Sequence, residues 1–474
     1  MRSRKTRQFL CFSAFIQRLL ILVLWLPMPA IVHAAGHDIP GLTAAQLQAD
    51  YWLARSPAPD DILRTPAQIQ AGNTALFQSA ADLFDFAAAP QSYTAAEVRA
   101  LIAQISQRPQ AARFFANGRQ LTDADFNRYQ QAMALPNIAA QVQAKAALVT
   151  SRGSIRTFPT LDRVFNQQMD SDIDRFQETA VFPGQALQVL HYSKDNRWAF
   201  VRHYHYNGWL QVEHLALTDH QTALDFTRQQ DFLLVTGARV FTNFNPEQPL
   251  VSEVALEMGV RLPLLKQQPA LLYQQNPAFS YLVQLPVRQS DGRLALLPAL
   301  IARNQDVRTG YLPLTRANII RQTFKFLGER YGWGHDYHAR DCSGLVGEVF
   351  KTFGIMLPRN TGSLSQPGFG AAIQLGEATL SAKQQALQQA DIGDLLLIPG
   401  HVMLVLGRSD QQELFVIHAV NGLSYYQQDG EYYQSKLNGV SVTPFTPLYL
   451  NQQTSYQQAL YQIKSLTRET YAHR

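Results

Sequence analysis

The stretch Tyr331 to Phe353, YGWGHDYHARDCSGLVGEVFKTF, constrains this chain more than any other. Counting from Cys342, apolar residues recur at Leu345, Val346, Val349, Phe350 and Phe353, the spacing of one face of a buried helix. Asp341 just before the cysteine is a good N-cap, and Gly354 just after Phe353 is a good terminator. The thiol therefore opens the helix. A helix N-terminus stabilises an anion through its unpaired N–H groups and its dipole, and can lower a thiol pKa from about 8.5 into the range of roughly 3.5–7.5. A shift to about 6 would make most of the thiol a thiolate at neutral pH. Two readings stand on position alone: an activated nucleophile, or a buried structural cysteine.

The N-terminus bears on that choice. Arg2, Arg4, Lys5 and Arg7 precede an apolar run from Leu19 to Leu26, which ends in Pro27-Met28-Pro29 and the small-residue pattern Val32-His33-Ala34. Residues 1–34 read as a secretory signal peptide cut near Ala34, because Arg18 leaves the apolar run short for a membrane span. Cys11 leaves with it, so the mature protein keeps one cysteine and cannot form an internal disulfide. A lone thiol retained in an oxidising compartment favours the nucleophile. The signal segment also holds five basic residues and no acidic one, which is the whole difference between 41 Lys+Arg and 36 Asp+Glu. The mature chain is thus formally neutral, and charge provides no argument for nucleic acid or an anionic membrane surface. No later apolar run approaches a span, so a soluble, secreted, periplasmic protein is expected with no retained membrane segment.

Residues 35–150 are rich in Ala and Gln with helical periods, and read as a helical N-terminal domain. Thr94 and Glu97 form a capping box, and Thr122 with Asp125 a second start. From about Ser151 the texture changes to short strands. Gln188 to Tyr192, Trp198 to Val201 and Gly208 to Val212, with a turn at Lys194 to Arg197, read as a small β-barrel over 151–230, similar to bacterial SH3-like domains. His203 and His205 alternate there and are expected to face solvent. Tyr204, Tyr206 and Trp209 either line a groove or pack the barrel. A second SH3-like barrel is expected over 231–314, with a turn at Asp291-Gly292. Residues 315–474 then read as helix first, antiparallel sheet second. The fold class is multidomain α+β.

A thiolate that attacks an amide needs a base to return its proton to the leaving amine, and that base needs an orienting partner. His401 begins one strand of a predicted hairpin and His418 lies near the end of the next. Folding about Arg408 to Gln411 brings the two almost opposite, about 5 Å apart on one face. With Cys342 packed against that sheet they make a Cys–His–His set. His335, Asp336 and His338 form a loop cluster without a fourth ligand and are not read as a metal site.

These residues carry a resemblance. Tyr331-Gly332-Trp333-Gly334, Asp341-Cys342-Ser343-Gly344, Leu357-Pro358-Arg359, Gly393-Asp394-Leu395, Gly400-His401-Val402 and Ile417-His418-Ala419 resemble the successive motifs of the NlpC-family cell-wall cysteine peptidases, papain-like enzymes. Ser151-Arg152 to Pro159-Thr160 and Asp174-Arg175-Phe176-Gln177 resemble the entry to the first SH3-like domain of multidomain members. The resemblance implies hydrolysis of the γ-D-glutamyl–diamino acid bond in peptidoglycan stem peptides, without a cofactor. It implies Cys342 as nucleophile, His401 as general base and acid, His418 as its orienting residue, and Tyr331 at the oxyanion site. Asp341, Ser343 and Arg359 are implied as pocket residues, Asp341 facing the free amine of the stem peptide. Two departures bear on pocket shape: His335 stands where the family commonly has glycine, and Asn360 to Gln366 is longer than usual. The rival readings are an inactive peptidoglycan-binding protein and an acyl or amide transferase using the same residues.

Overall fold

The computed structural model describes residues 39–267 and 269–471, so the expected signal segment and Cys11 lie outside the described residues. No helix among the described residues is long and apolar enough to cross a membrane. From Ile39 onward the chain forms one mixed α/β unit.

The N-terminal segment carries helices at Pro66–Ser79, Ala95–Ile105 and Asp123–Ala132. The expected capping box at Thr94 forms, and the second start at Thr122 forms one as well. Thr94 N donates to Glu97 Oε2 at 2.7 Å and Thr122 N to Asp125 Oδ2 at 2.9 Å, with each threonine hydroxyl accepting the reciprocal bond. The segment nevertheless divides its apolar residues between two neighbours. Trp52, Ile69 and Leu76 join the core around the Cys342 helix, whereas Val98, Ile102, Phe126 and Tyr129 pack with Phe158, Trp198 and Trp209 of the first barrel. It clamps those parts together instead of closing a core of its own.

The first barrel is a seven-stranded antiparallel sheet that begins at Lys145–Val149, ahead of the expected boundary at residue 151. Hairpin Trp198–His203 with Tyr206–Gln211 is at its centre, His203 opposite Tyr206. The expectation that His203 and His205 face solvent is corrected: they are 1% and 8% exposed. His205 lies in the turn, not on the strand, and its ring packs on Tyr204 and His203 with centroids 4.0 and 4.7 Å apart. The hairpin tip is covered because it meets the Cys342 domain, and Phe84 N ties it down further by donating to Tyr204 O at 2.7 Å. The second β-rich stretch pairs Phe232–Val235 with Arg261–Pro263 and Val307–Thr309, and adds a long hairpin, Ser280–Arg288 with Leu294–Ala302. It shares a core with the first barrel through Leu148, Phe182 and Phe226.

The last part sets helices Arg316–Phe324 and Cys342–Lys351 against a six-stranded antiparallel sheet. In spatial order its strands are Ala371–Gln374, Gln462–Ser465, Leu395–Ile398, His401–Arg408, Leu414–Tyr426 and Tyr432–Pro444. The buried helix face Leu345, Val346, Val349 and Phe350 packs on Val402, Leu404 and Ile417 of this sheet. At roughly 1.5–3 kcal/mol for each fully buried large aliphatic or aromatic side chain, that face holds the helix start firmly against the His401 strand.

Candidate active site

Cys342 occupies the first turn of its helix because Asp341 caps it, Oδ1 accepting from Gly344 N at 2.8 Å. Ahead of it, the loop Trp333–His338 folds back on the first barrel. Gln177 Nε2 donates to Gly334 O at 2.8 Å and Trp333 Nε1 donates to Gln177 O at 3.1 Å. Gly334 has φ 57, and a Cβ there would sit 2.9 Å from Glu178 O, so the latch requires glycine. His335 also has a positive φ, 64, a backbone conformation that favours glycine. The imidazole is tolerated because it is held on all sides. Its Nδ1 lies 3.3 Å from Arg359 Nη2 and 3.4 Å from Thr179 Oγ1, and its Nε2 lies 2.9 Å from Glu348 Oε1. The ring fills the space that a side chain at Gly344 would need.

On the sheet, Leu404 is paired with Ile417. Carried back along both strands, that register puts His401 opposite Val420, on the same face as His418 and diagonal to it. The rings lie 5.0 Å apart, and His401 Nε2 is 2.7 Å from His418 Nδ1. His418 Nε2 is in turn 3.0 Å from the hydroxyl of buried Thr443. These contacts suit one tautomer arrangement. If His401 Nδ1 is kept as an acceptor for the thiol proton, Nε2 carries hydrogen and donates to His418 Nδ1, and His418 Nε2–H donates to Thr443 Oγ1. Cys342 lies at the start of the same strand, where the Val402 amide bonds its sulfur, and Thr361 Oγ1 is 4.0 Å from Sγ.

The electrostatics run opposite to the helix-dipole expectation. Burial and the adjacent Asp341 carboxylate push the Cys342 thiol up to about 11, against smaller opposing contributions from the Val402 amide and Arg359. Burial also lowers His401 to about 4 and His418 well below its ordinary value. At 7% exposure the thiolate loses most of its solvation, and the helix N-terminus does not replace it. The resting pair is therefore neutral thiol and neutral imidazole, with proton transfer belonging to the attack itself. Iodoacetamide labelling of Cys342 is accordingly expected to accelerate steadily with pH to above about 9. A plateau reached by about pH 7 would show instead a preformed thiolate–imidazolium pair.

Tyr331 is 7% exposed, and burial together with the charges of Asp341 and Cys342 keeps its phenol protonated. Asp341, Ser343 and Arg359 come together, all buried. Arg359 donates to Asp341 Oδ2 at 2.6 Å and to Ser343 Oγ at 2.7 Å. Asp341 Oδ2 also accepts from Gly334 N at 2.9 Å, which saturates the carboxylate within the protein. The expectation that Asp341 faces a free amine therefore meets a carboxylate already spent on Arg359.

Three residues at the site escaped sequence reasoning, Thr443, Glu178 and Thr179, and a fourth, Tyr206, was left between groove and barrel core. Thr443 sits in a strand with no motif. The first barrel supplies the other three. Thr179 Oγ1 accepts from Arg359 Nε at 2.8 Å, and the Tyr206 hydroxyl donates to Glu178 Oε2, with Arg359 and Asn360 close enough to act on that phenol. The alternatives for Tyr204, Tyr206 and Trp209 thus resolve three ways: Trp209 packs the barrel, Tyr204 is partly buried against the core of the Cys342 helix, and Tyr206 pairs with Glu178. Glu178 is partly exposed, its Oε1 accepting from Thr157 Oγ1 at 2.5 Å and its Oε2 from Tyr206, with no cation paired to it among the described residues.

Residues 328–442 match the NlpC/P60 family, and residues 159–211 match the SH3 domain of SH3b1 type. A gamma-D-glutamyl-L-lysine dipeptidyl-peptidase of Bacillus cereus (strain ATCC 10987 / NRS 248) is 30% identical over 171 residues, covering 34% of this chain and 44% of that protein. The chain thus spans less than half the length of that relative. An NlpC/P60 endopeptidase from Photobacterium damselae subsp. piscicida has a similar fold, with TM-score 0.69 at 18% identity over 87% of this chain and 95% of that one. An NlpC/P60 family protein from Bacillus cereus ATCC 10987 aligns at 19% identity with TM-score 0.47 over 68% of this chain and 99% of that one. The chain carries an NlpC/P60 domain and an SH3 domain of SH3b1 type.

Proposed function

We propose that the protein is an exported cysteine peptidase of the cell wall that cleaves the γ-D-glutamyl–diamino acid bond of peptidoglycan stem peptides. The observation that carries this reading is the run of contacts from His401 through His418 to Thr443, at the start of the strand whose Val402 amide bonds the Cys342 sulfur. As Cys342 Sγ attacks the γ-carbonyl carbon of D-Glu, its proton passes to His401 Nδ1, while the carbonyl electrons move onto oxygen. The Cys342 N–H and the Tyr331 hydroxyl hold that oxyanion. His418 keeps the forming imidazolium in orientation through His401 Nε2–H. Collapse breaks the C–N bond, His401 returns the proton to the leaving amine, and a thioester remains. Water, deprotonated by His401, then releases the γ-carboxylate and restores the thiol. Every bond made or broken belongs to side chains, substrate or water, so no cofactor enters.

The stem peptide's free amine is assigned to the Glu178–Tyr206 pair of the first barrel, whose carboxylate has only neutral hydroxyl partners among the described residues, with Asp341 anchoring Arg359 and Ser343 behind it. That placement makes the barrel part of the pocket and favours peptides already released from glycan. The test is product analysis on L-Ala-γ-D-Glu-diaminopimelate peptides with free and acetylated N-termini. Cleavage after D-Glu that is much faster with the free amine is the expected result. Glu178→Gln is expected to lower kcat/KM for the free peptide by about 10–100-fold, the size of one charge-assisted hydrogen bond, and to leave the slow acetylated peptide unchanged. An equal fall for both would remove the amine assignment. No cleavage of either, with wall binding intact, would favour the binding-protein reading.

A further inference from the structure

A cavity of about 320 Å³ lies at the end of the Cys342 helix away from the thiol, where the first barrel, helix His220–Arg228, the second barrel and the Phe84 segment meet. Its wall is mostly apolar: Phe84, Phe86, Phe182, Phe226, Phe232 and Met258. Two buried ionisable groups interrupt that wall. Lys351, the last residue of the helix, is buried, with its ammonium 5.7 Å from the Phe182 ring centre and 5.4 Å from that of Tyr204. Among the described residues that ammonium makes no hydrogen bond and no ion pair within the 4.0 Å of one. Glu348, whose charge acts on it, is held at 2.9 Å by Arg340. His203 is 1% exposed, and neither of its ring nitrogens has a hydrogen-bond partner. Burying an ammonium and an imidazole without partners in an aromatic wall is unfavourable unless something else completes them.

We infer that this cavity binds an amphiphilic monocarboxylate, its apolar body against the phenylalanines and its carboxylate accepting from Lys351 Nζ and a His203 N–H. The size follows from the volume. A cavity of about 150 Å³ takes one benzene ring, so about twice that takes two fused rings or a chain of roughly eight carbons. The single charge follows from the wall. Of the other two cations lining the cavity, Arg261 is spent on the Tyr311 hydroxyl at 2.8 Å and Gln229 O at 2.9 Å, with its plane over Phe232, and Arg228 is exposed at the rim. A polar stem peptide with several charges does not suit this wall, so the site stands apart from the cleft and from the proposed activity.

The test is calorimetric titration of the protein with octanoate and with 1-naphthoate, after Cys342 has been alkylated to obstruct the cleft. One molecule is expected to bind per chain, with octan-1-ol and 1-naphthol binding about tenfold more weakly than the matching acids. Lys351→Met is expected to weaken both acids by about tenfold or more, and Lys351→Arg to restore most of that loss. The tighter of the two acids identifies the natural body as acyl chain or aromatic. Absence of saturation by either acid, or equal affinity for acid and alcohol, overturns the inference. So does a folded Lys351→Met that binds as the parent does. The comparison of acid with alcohol uses the unaltered sequence and decides the matter even if Lys351→Met fails to fold.

Discussion

Cys342→Ala is expected to reduce cleavage of the free-amine peptide by about 10⁴-fold or more, the scale on which nucleophile deletions act, while binding of the peptide persists. The loss is large because no other group at the site can form the thioester. The buried Sγ is the described chain's single thiol, and Thr361 Oγ1, 4.0 Å away, has no base directed at it among the contacts of His401. His401→Ala is expected to cost about as much, and the double variant little more than either alone, since the two act as a unit. His418→Ala leaves thiol and base in place but removes the acceptor that keeps hydrogen on His401 Nε2. A loss of roughly 10²–10⁴-fold is expected there, in kcat more than in KM. Thr443→Val tests the end of the same relay, because it leaves His418 Nε2–H buried without an acceptor. If Cys342→Ala kept even a hundredth of the activity, the thioester route would be excluded.

Local signals carried the sequence reading far along the Cys342 helix and the His401 hairpin. Asp341 as cap, the apolar face from Leu345 to Phe350, and the two histidines on one sheet face all depend on spacing within a single element or turn. Three strands of the sheet had no such signal. Ala371–Gln374 and Gln462–Ser465 lack β-branched alternation, and Tyr432–Pro444 is interrupted by Asn438 and Gly439, so each exists because a neighbouring strand offers its edge. The same limit applies to the cleft. Glu178 and Thr179 read as ordinary barrel residues, and Tyr206 as groove or barrel core, until the Trp333–His338 loop latches onto Gln177 and brings Arg359 to Thr179. Burial misled in two places. His203 and His205 looked solvent-facing because nothing local shows that their hairpin meets another domain, and the helix-dipole argument for Cys342 omitted the desolvation that dominates it.

Arg340→Met is the substitution expected to cost most stability, about 3–5 kcal/mol, because it removes the cation from a buried cluster and leaves the anions behind. Arg340 is 1% exposed. It donates to Glu348 Oε2 at 2.9 Å and to Ala238 O at 3.1 Å, and also pairs with Glu257 and Glu329, so one guanidinium joins the Cys342 helix, its preceding loop and the second β-rich stretch. The carboxylates are not equally exposed to its loss. Glu257 keeps Arg152 at 2.7 Å and Arg239 at 3.2 Å, and Glu329 retains 21% side-chain exposure through which water can reach it. Glu348 keeps only the His335 contact and carries most of the penalty. In the parent protein, burial would raise Glu348, but Arg340 and His335 outweigh it and hold the group below the usual carboxylate range. Its contribution is thus present above the ordinary carboxylate pKa of about 4.3 and lost as pH falls through the lower folded value. In Arg340→Met the folded value moves above the unfolded one. The deficit should then be greatest near neutral pH and shrink toward about pH 4, where the folded carboxylate is protonated. Equilibrium urea unfolding of the two proteins across that range measures it. Adding Glu348→Gln to Arg340→Met should recover a large part of the loss by removing the unpaired charge. A deficit that ignores pH and is unchanged in the double variant would assign the role of Arg340 to packing against Phe326, whose ring centre lies 4.5 Å from its guanidinium.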